Sequence, residues 1–261
     1  MIRNYVVKNK IIKVPSFLKP IYETDLIRIG QDKDGGYLIP QKSLEHTKIL
    51  YSFGLGADWS FEEDFYNQTK SKVYCYDHTV NWKFFFKLAL FSPKKNLFKF
   101  FQYKKFFDKK NKFHIEKMIC PTGSYGFSLN ENSLADLDSV IKNTTDKEIY
   151  LKIDIEGNEY RILNQIKKYS SAINCLAIEF HDCDLHNEKI KNFINDFELQ
   201  LVHIHINNWS LLNHDNSPRT IELTFSHKEF NKKIINENKK FPLPLDEPNN
   251  PLYQDLPIEF K

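Results

Sequence analysis

The 261-residue sequence has four widely spaced cysteines, Cys75, Cys120, Cys175 and Cys183, and no Cys-x-x-Cys. That excludes the usual zinc spacing and argues for reduced thiols rather than a disulfide framework. No run approaches the roughly 18 consecutive apolar residues of a membrane span. Met1 to Lys13 alternates charged and apolar residues, without the continuous apolar core of a secretory leader. Neither sign of charge dominates: 37 basic residues face 34 acidic ones, for a net charge of +3 and a pI near 8.4. So mild a balance gives no footprint of nucleic acid. The expectation is a soluble, cytoplasmic protein, long enough for one large α/β domain. With no internal repeats and no interdomain linker, residues 1–261 read as a single domain.

What is present centres on Leu151-Lys152-Ile153-Asp154-Ile155-Glu156-Gly157-Asn158-Glu159-Tyr160. The stretch begins as a strand and ends in a loop that starts a helix near Glu159. Alternation puts Leu151, Ile153 and Ile155 on one face and Lys152, Asp154 and Glu156 on the other. A central parallel strand is normally apolar on both faces. Two carboxylates at its carboxyl end therefore mark the edge where open α/β sheets bind ligands. The structural alternative is that they cap the next helix or pair with lysines.

A second signal lies upstream. Lys48 to Phe53 reads as a strand, Gly54-Leu55-Gly56 as a turn, and Ser60 with Glu63 as a capping box opening a helix to about Lys70. Lys72 to Asp77 is the next strand and ends in an acid. Gly56 and Asp77 stand 21 positions apart, near the roughly 20 that sets a carboxylate on a ribose diol. The third glycine of a dinucleotide fingerprint is missing, because position 59 holds Trp59. An indole there argues against a pyrophosphate, and so against NAD or FAD. A nucleoside cofactor without phosphates, such as S-adenosylmethionine, remains allowed.

Earlier, Leu26 to Gly30 and Tyr37 to Pro40 flank a Gly35-Gly36 turn and read as a hairpin, within an N-terminal segment of 1–47. Residues 82–113 change character: Lys83 to Phe113 holds ten lysines, ten phenylalanines and one acid, Asp108. Two helical pieces split at Ser92-Pro93 are expected. They either pack their phenylalanines on the sheet, touch an anionic membrane surface, or cover an anionic substrate. His114 to Ile119 reads as a strand and Ser133 to Ile141 as a helix. Glu159 to Lys168 reads as a further helix. Asn174 to Asp182 is a strand with Glu179 and His181 on one face, followed by a helix at 187–197. Strands at 201–209 and 220–225 follow, the second returning antiparallel. Converging at one sheet edge would be Asp154/Glu156, Glu179/His181 and the His203-x-His205-x-Asn207 face. Ser226 to Lys240 reads as a polar helix, and 241–261, with five prolines, as an extended tail.

These segments resemble the FkbM-like branch of class I S-adenosylmethionine-dependent methyltransferases. The resemblance rests on Ser52 to Gly56 with Ser60-Phe61-Glu62, on Asp77, on Leu151 to Glu159, and on His203 to Asn208 followed by Ile221-Glu222-Leu223. Asp34-Gly35-Gly36-Tyr37 is similar to a motif preceding the cofactor strand. The resemblance spans about Arg28 to Phe225 and leaves 82–113 outside. It implies a doubly wound, Rossmann-like, mostly parallel seven-stranded sheet with its last strand reversed. It also implies O-methylation of sugars and related small molecules in glycan or natural-product pathways. By carry-over Gly54 and Gly56 line the methionine portion, Asp77 the ribose, and Asp154 the reaction zone, while Asp34 to Tyr37 closes over the cofactor.

Methyl transfer needs an aligned nucleophile and a proton acceptor. His181 or Asp154 is the expected base, oriented by Glu156 and Glu179. A divalent metal, which Asp154, Glu179 and His181 are chemically suited to hold, is an added option to which the sequence does not commit. The acceptor is a small molecule or glycan, with anionic and lipid-linked ones among those that fit, and no nucleic acid; oligomeric state is open. Rival readings are a metal-dependent glycosyltransferase using Asp154/Glu156, a non-catalytic membrane-surface adaptor working through 82–113, and, last, an oxidoreductase.

Overall fold

The computed structural model describes residues 10–91, 93–124, 131–142, 148–234 and 239–261. Its seven-stranded sheet comprises β1 (Ile49–Phe53), β2 (Lys72–Tyr76), β3 (Lys112–Ile115), β4 (Ile149–Ile153), β5 (Ile173–Phe180), β6 (Gln200–Ile206) and β7 (Ile221–Ser226). Their order in space is β6-β7-β5-β4-β1-β2-β3. Strands β1 to β5 pair in parallel, and β7 runs antiparallel to both β5 and β6. The doubly wound architecture with a reversed last strand is as expected. The order turns back between β1 and β4, so their carboxyl ends form the switch point where such sheets open a crevice.

β1 and β4 are buried along their whole length, which is why both read as apolar runs broken only by Ser52 and Lys152. One face of the sheet packs Phe53, Leu151 and Ile153 against α5 (Leu137–Lys142), α6 (Glu159–Lys168) and α7 (Asn187–Asp196). The other packs Leu50 and Tyr150 against α1 (Gln41–Glu45), α2 (Ser60–Thr69), α3 (Trp82–Phe91) and α4 (Pro93–Phe106). α3 and α4 form the expected helical insertion between β2 and β3. Its anchor is Trp59, whose ring meets Phe85, Tyr103 and Phe107 edge-on or tilted at 5.6–6.3 Å. The residue that replaces the third glycine is thus the socket of the insertion.

Several expectations shift. Ser60 does not cap α2: its backbone N–H donates to Asp58 Oδ1, while its hydroxyl accepts from the Gln31 N–H. His114 to Ile119 is not one strand; β3 stops at Ile115 and a short strand, Met118–Cys120, follows. Ser133 to Ile141 is helical only from Leu137. Leu134–Asp136 pairs with Met118–Cys120 instead, and Asp136 Oδ1 accepts the Asp138 N–H to start the helix. The polar helix over 226–240 is absent from its described part. Lys233–Ile234 pairs with Tyr22–Glu23, because Glu23 draws in Lys233 and Lys239 at 3.2 and 2.8 Å. Residues 1–9 and 235–238 lie outside the described residues. The tail lies on the body, with Ile258–Phe260 parallel to Ile12–Val14.

Candidate active site

Gly54 and Gly56 leave β1 with φ of +83° and +56°. A Cβ at Gly54 would lie 1.6 Å from the Asp154 carbonyl oxygen, so only glycine lets the β1 loop pass β4. The loop is held from the other side by Asp77. Its Oδ2 accepts the Leu55 and Gly56 N–H groups at 2.9 and 2.8 Å, and its Oδ1 accepts the Thr79 N–H and hydroxyl, both at 2.6 Å. Although burial works against the charge, these donors lower the Asp77 pKa. All four lone-pair positions are thus taken by the chain itself.

A cleft of about 350 Å³ opens above this loop, within the range of small-ligand sites. Asp34, Gly35, Gly54, Gly56, Asp77, Asp154 and Glu156 line it, as do Met118, Ile119 and Tyr76. Its walls carry six carboxylates (Asp34, Asp58, Glu62, Asp77, Asp154, Glu156) against two lysines, Lys117 and Lys152. Gly36 and Tyr37 stand behind the wall. Gly36 packs on Gln31 and Arg28, and the Tyr37 hydroxyl donates to Glu179 Oε2 at 3.4 Å.

A second cleft shares Asp34, Asp154 and Glu156 with the first and adds Glu179, His181, Asn207, Trp209, Ser210 and Thr220. The carboxylates expected to converge do so. His181 Nε2 lies 3.4 Å from Glu156, 3.8 Å from Glu179 and 3.9 Å from Asp154. Its Nδ1 lies 3.0 Å from Glu159 Oε1, which also accepts the Ile155 and Gly157 N–H groups. A carboxylate offers only lone pairs, so Nδ1 carries the proton and Nε2 is left to face the cleft. Glu156 reaches this place with φ at +53°, and Gly157 follows at +94°.

Lys152 is buried beneath the site. Its Nζ donates to the Gly54 carbonyl at 2.9 Å and lies 3.9 Å from Asp154 and 4.0 Å from Glu62. Burial raises the Asp154 pKa, with Lys152 and His181 opposing. Burial, then Asp154 and Glu222, push Glu179 well above the usual carboxylate range. For His181 burial works against the charge, but Glu159 and Asp154 outweigh it and its pKa is raised.

Asn207 joins the site by donating to Glu179 Oε1 at 2.7 Å; the two strand histidines do not. His203 pairs with Asp246, and His205 sits between Glu222 and Asp255, every contact at 3.0–3.1 Å. Both pin the tail. From that tail Asn249 Nδ2 donates to Asp34 at 3.1 Å and to Glu222 at 2.6 Å, and the Trp209 indole N–H donates to the Asn249 carbonyl. Sequence reasoning missed Lys152, Glu159 and Asn249 as parts of the site. For Glu159 the signal was available: a third acid in the same motif, three residues past Glu156.

Asp154, Glu156 and His181 each bring one ligand-type atom within 4.8 Å of the others, and so do Asp34, Glu179 and Glu222. The first trio offers the mixed oxygen and imidazole set that suits a divalent cation.

No protein-family model matches the sequence, and no curated protein matches it. Among solved structures the chain is similar to an rRNA methylase from Streptococcus thermophilus, with 13% identity, a TM-score of 0.39, and coverage of 71% of this chain and 92% of that one. It is also similar to M. capricolum TrmK in complex with S-adenosylhomocysteine, with 14% identity, a TM-score of 0.37, and coverage of 75% and 70%. A putative methyltransferase from Streptococcus mutans, SMU.1697c, also holding S-adenosylhomocysteine, gives 15% identity, a TM-score of 0.34, and coverage of 71% and 93%. At these TM-scores the likenesses carry nothing about this chain's chemistry.

Proposed function

We propose that the protein is an S-adenosylmethionine-dependent methyltransferase that O-methylates a sugar or sugar-linked group in glycan biosynthesis. The observation that carries this is the charge of the first cleft. Six carboxylates against two lysines suit a ligand with a sulfonium and an ammonium group and repel a nucleotide sugar or dinucleotide, whose phosphates need positive partners. The adenine would lie against Met118 and Ile119, and the methionine end near Gly54 and Lys152. Asp77 is saturated by its own loop, so it would hold a ribose hydroxyl only where the Thr79 hydroxyl, the one donor there free to rotate, gave up its place.

The second cleft supports a neutral polyol acceptor. Trp209 presents an aromatic face, and Glu179, Asn207 and Ser210 present hydrogen-bonding groups, a mixture that fits the apolar and hydroxyl faces of a sugar. Its acidity speaks against bare phosphate and against a nucleic-acid strand. His181 Nε2 is the general base in this reading, with Nδ1 fixed by Glu159 and with Asp154 between the two clefts. When bound, S-adenosylmethionine supplies the electrophilic methyl group.

A second reading adds a divalent metal on Asp154, Glu156 and His181, favoured by their mutual approach within 4.8 Å. Turnover abolished by a chelator and restored by Mn²⁺ supports it, and turnover indifferent to chelation excludes it.

The test of the main reading is calorimetric titration of the wild-type protein with S-adenosylhomocysteine and, separately, with a UDP-sugar plus Mn²⁺. Micromolar binding of the first alone supports the methyltransferase. Binding of the second alone hands the site to a glycosyltransferase.

A further inference from the structure

Among the described residues of the α3–α4 hairpin, 82–106, none lines either cleft. Its inner side is consumed by packing, with Phe85, Phe100, Tyr103 and Phe106 buried. Its outer side is not. On α3 Trp82, Phe86 and Leu90 recur every fourth residue and stay exposed; on α4 Leu97, Phe98 and Phe101, spaced one and three residues apart, are exposed too, with Leu90 and Phe98 each 66% exposed. Phe86 and Phe101 both rest on Phe100, at 5.8 and 5.4 Å between ring centroids, so the two stripes meet as one apolar patch. Large apolar patches of this kind mark interaction surfaces.

The charge around the patch identifies the occupant. Residues 82–106 contain seven lysines and no acid. Lys83, Lys87, Lys104 and Lys105 are exposed beside the stripes, and Lys83 and Lys104 lie over the Trp82 ring at 5.9 and 5.4 Å. Aromatic side chains flanked by lysines, with no acid among them, fit the boundary between acyl chains and anionic headgroups. A second copy of this face would set lysines against lysines. We propose that the α3–α4 hairpin docks the protein onto an anionic lipid bilayer, with Phe86, Leu90, Phe98 and Phe101 entering the headgroup–acyl boundary and the lysines meeting the lipid charge. This goes beyond the proposed reaction and stands without it.

The hairpin's root sits beside the first cleft. Asn81 donates to Glu116 at 2.9 Å, and the Tyr103 hydroxyl bonds His114 Nδ1 while His114 Nε2 meets the Asp77 carbonyl at 3.0 Å. These bonds tie the docking element to the strand end that carries Asp77.

The experiment is co-sedimentation of the full-length protein with vesicles of phosphatidylcholine alone and of phosphatidylcholine with one quarter phosphatidylglycerol, in 0.1 M and 0.5 M salt. The triple variant Phe86→Ser, Phe98→Ser, Phe101→Ser and the quadruple variant Lys83→Gln, Lys87→Gln, Lys104→Gln, Lys105→Gln run alongside, each first checked for an unchanged thermal midpoint. The expected result is at least tenfold tighter binding to the anionic vesicles at low salt. Each variant should lose most of that gain, and high salt should weaken the wild type. Three outcomes overturn the proposal: no binding to anionic vesicles, equal binding to neutral ones, or anionic binding that both variants retain. A short RNA that binds as the lysines predict, with vesicles that do not, overturns it as well.

Discussion

Glu159 holds His181 by one oxygen: Oε1 accepts the imidazole Nδ1–H at 3.0 Å and, with the Ile155 and Gly157 N–H groups, closes the loop after β4 around the same atom. Glu159 itself is fully buried. The last acid of the motif orients the ring while the two before it face the cleft. Glu159→Gln removes a charge that raises the His181 pKa. The His181 titration, followed by NMR of its ring protons, should move to lower pH. Turnover should fall about 10–100-fold, as for other residues that orient a working histidine. An unmoved titration would show that Glu159 does not govern the ring.

His181→Ala and Asp154→Asn test the chemistry directly. Loss of a general base costs about 10²–10⁴ in rate. His181→Ala should show that loss with S-adenosylhomocysteine affinity nearly unchanged, since His181 lines only the second cleft. Asp154 lines both, so its variant should lose rate and affinity together. Calorimetry beside a product assay separates the two patterns.

Asp77→Ala would strip acceptors from three backbone N–H groups, at Leu55, Gly56 and Thr79. At about 1–3 kcal/mol for a buried group left unsatisfied, the variant should be less stable and its glycine loop displaced. Affinity for S-adenosylhomocysteine should drop at least about tenfold, the equivalent of 1.4 kcal/mol. Asp77→Asn, keeping one acceptor oxygen, should fall between. Wild-type affinity in the alanine variant would remove Asp77 from cofactor binding.

Gly54→Ala should cost at least about 3 kcal/mol, combining a strained φ with a backbone clash. The added methyl would meet the Asp154 carbonyl and push β4 from β1. Urea denaturation measures it. Gly56→Ala, where a Cβ meets nothing within 4 Å, should cost only its φ strain.

The tail should loosen at both ends of the pH scale. His205 is buried, which alone would lower its pKa, but Asp255 and Glu222 hold it well above the ordinary 6.5. A raised folded pKa gives stability fully present below about 6.5 and lost as pH rises through the folded value. Asp246 is buried too, yet His203 lowers its pKa. Its contribution is present above about 3.8 and lost as pH falls through the folded value. Urea midpoints should be highest between about pH 4 and 6.5 and decline on the alkaline side. His205→Gln should flatten the alkaline decline and cost about 3–5 kcal/mol, because buried Glu222 and partly buried Asp255 lose their charged partner.

The sheet was readable because its strands are apolar on both faces and its glycines and acids fall where strands end. Asp154, Glu156, Glu179 and His181 were readable for the same reason: strand parity put them on one edge. Hydrophobic periodicity says nothing of pairings between distant polar segments, and there the reading failed. Lys233–Ile234 became an edge strand because Glu23 lies opposite. His203 and His205 turned from the site because Asp246, Asp255 and Glu222 claimed them. Ser60 lost its cap to Asp58, a residue of the same short loop whose reach depends on backbone angles that sequence does not print.

Asn249 bridges Asp34 and Glu222 across 215 positions from Asp34, while the Leu151 to Tyr160 motif is a local turn. Folding order follows from that contrast. Short-range loops close early and long-range ones late, so the turn of the acidic motif can form before Asn249 joins Asp34 to Glu222. A chain released from the ribosome with its last 21 residues missing would lose the tail partners of buried His203 and His205, Asp246 and Asp255. It would leave Asp34, Glu222 and the Trp209 indole without the residue that joins them.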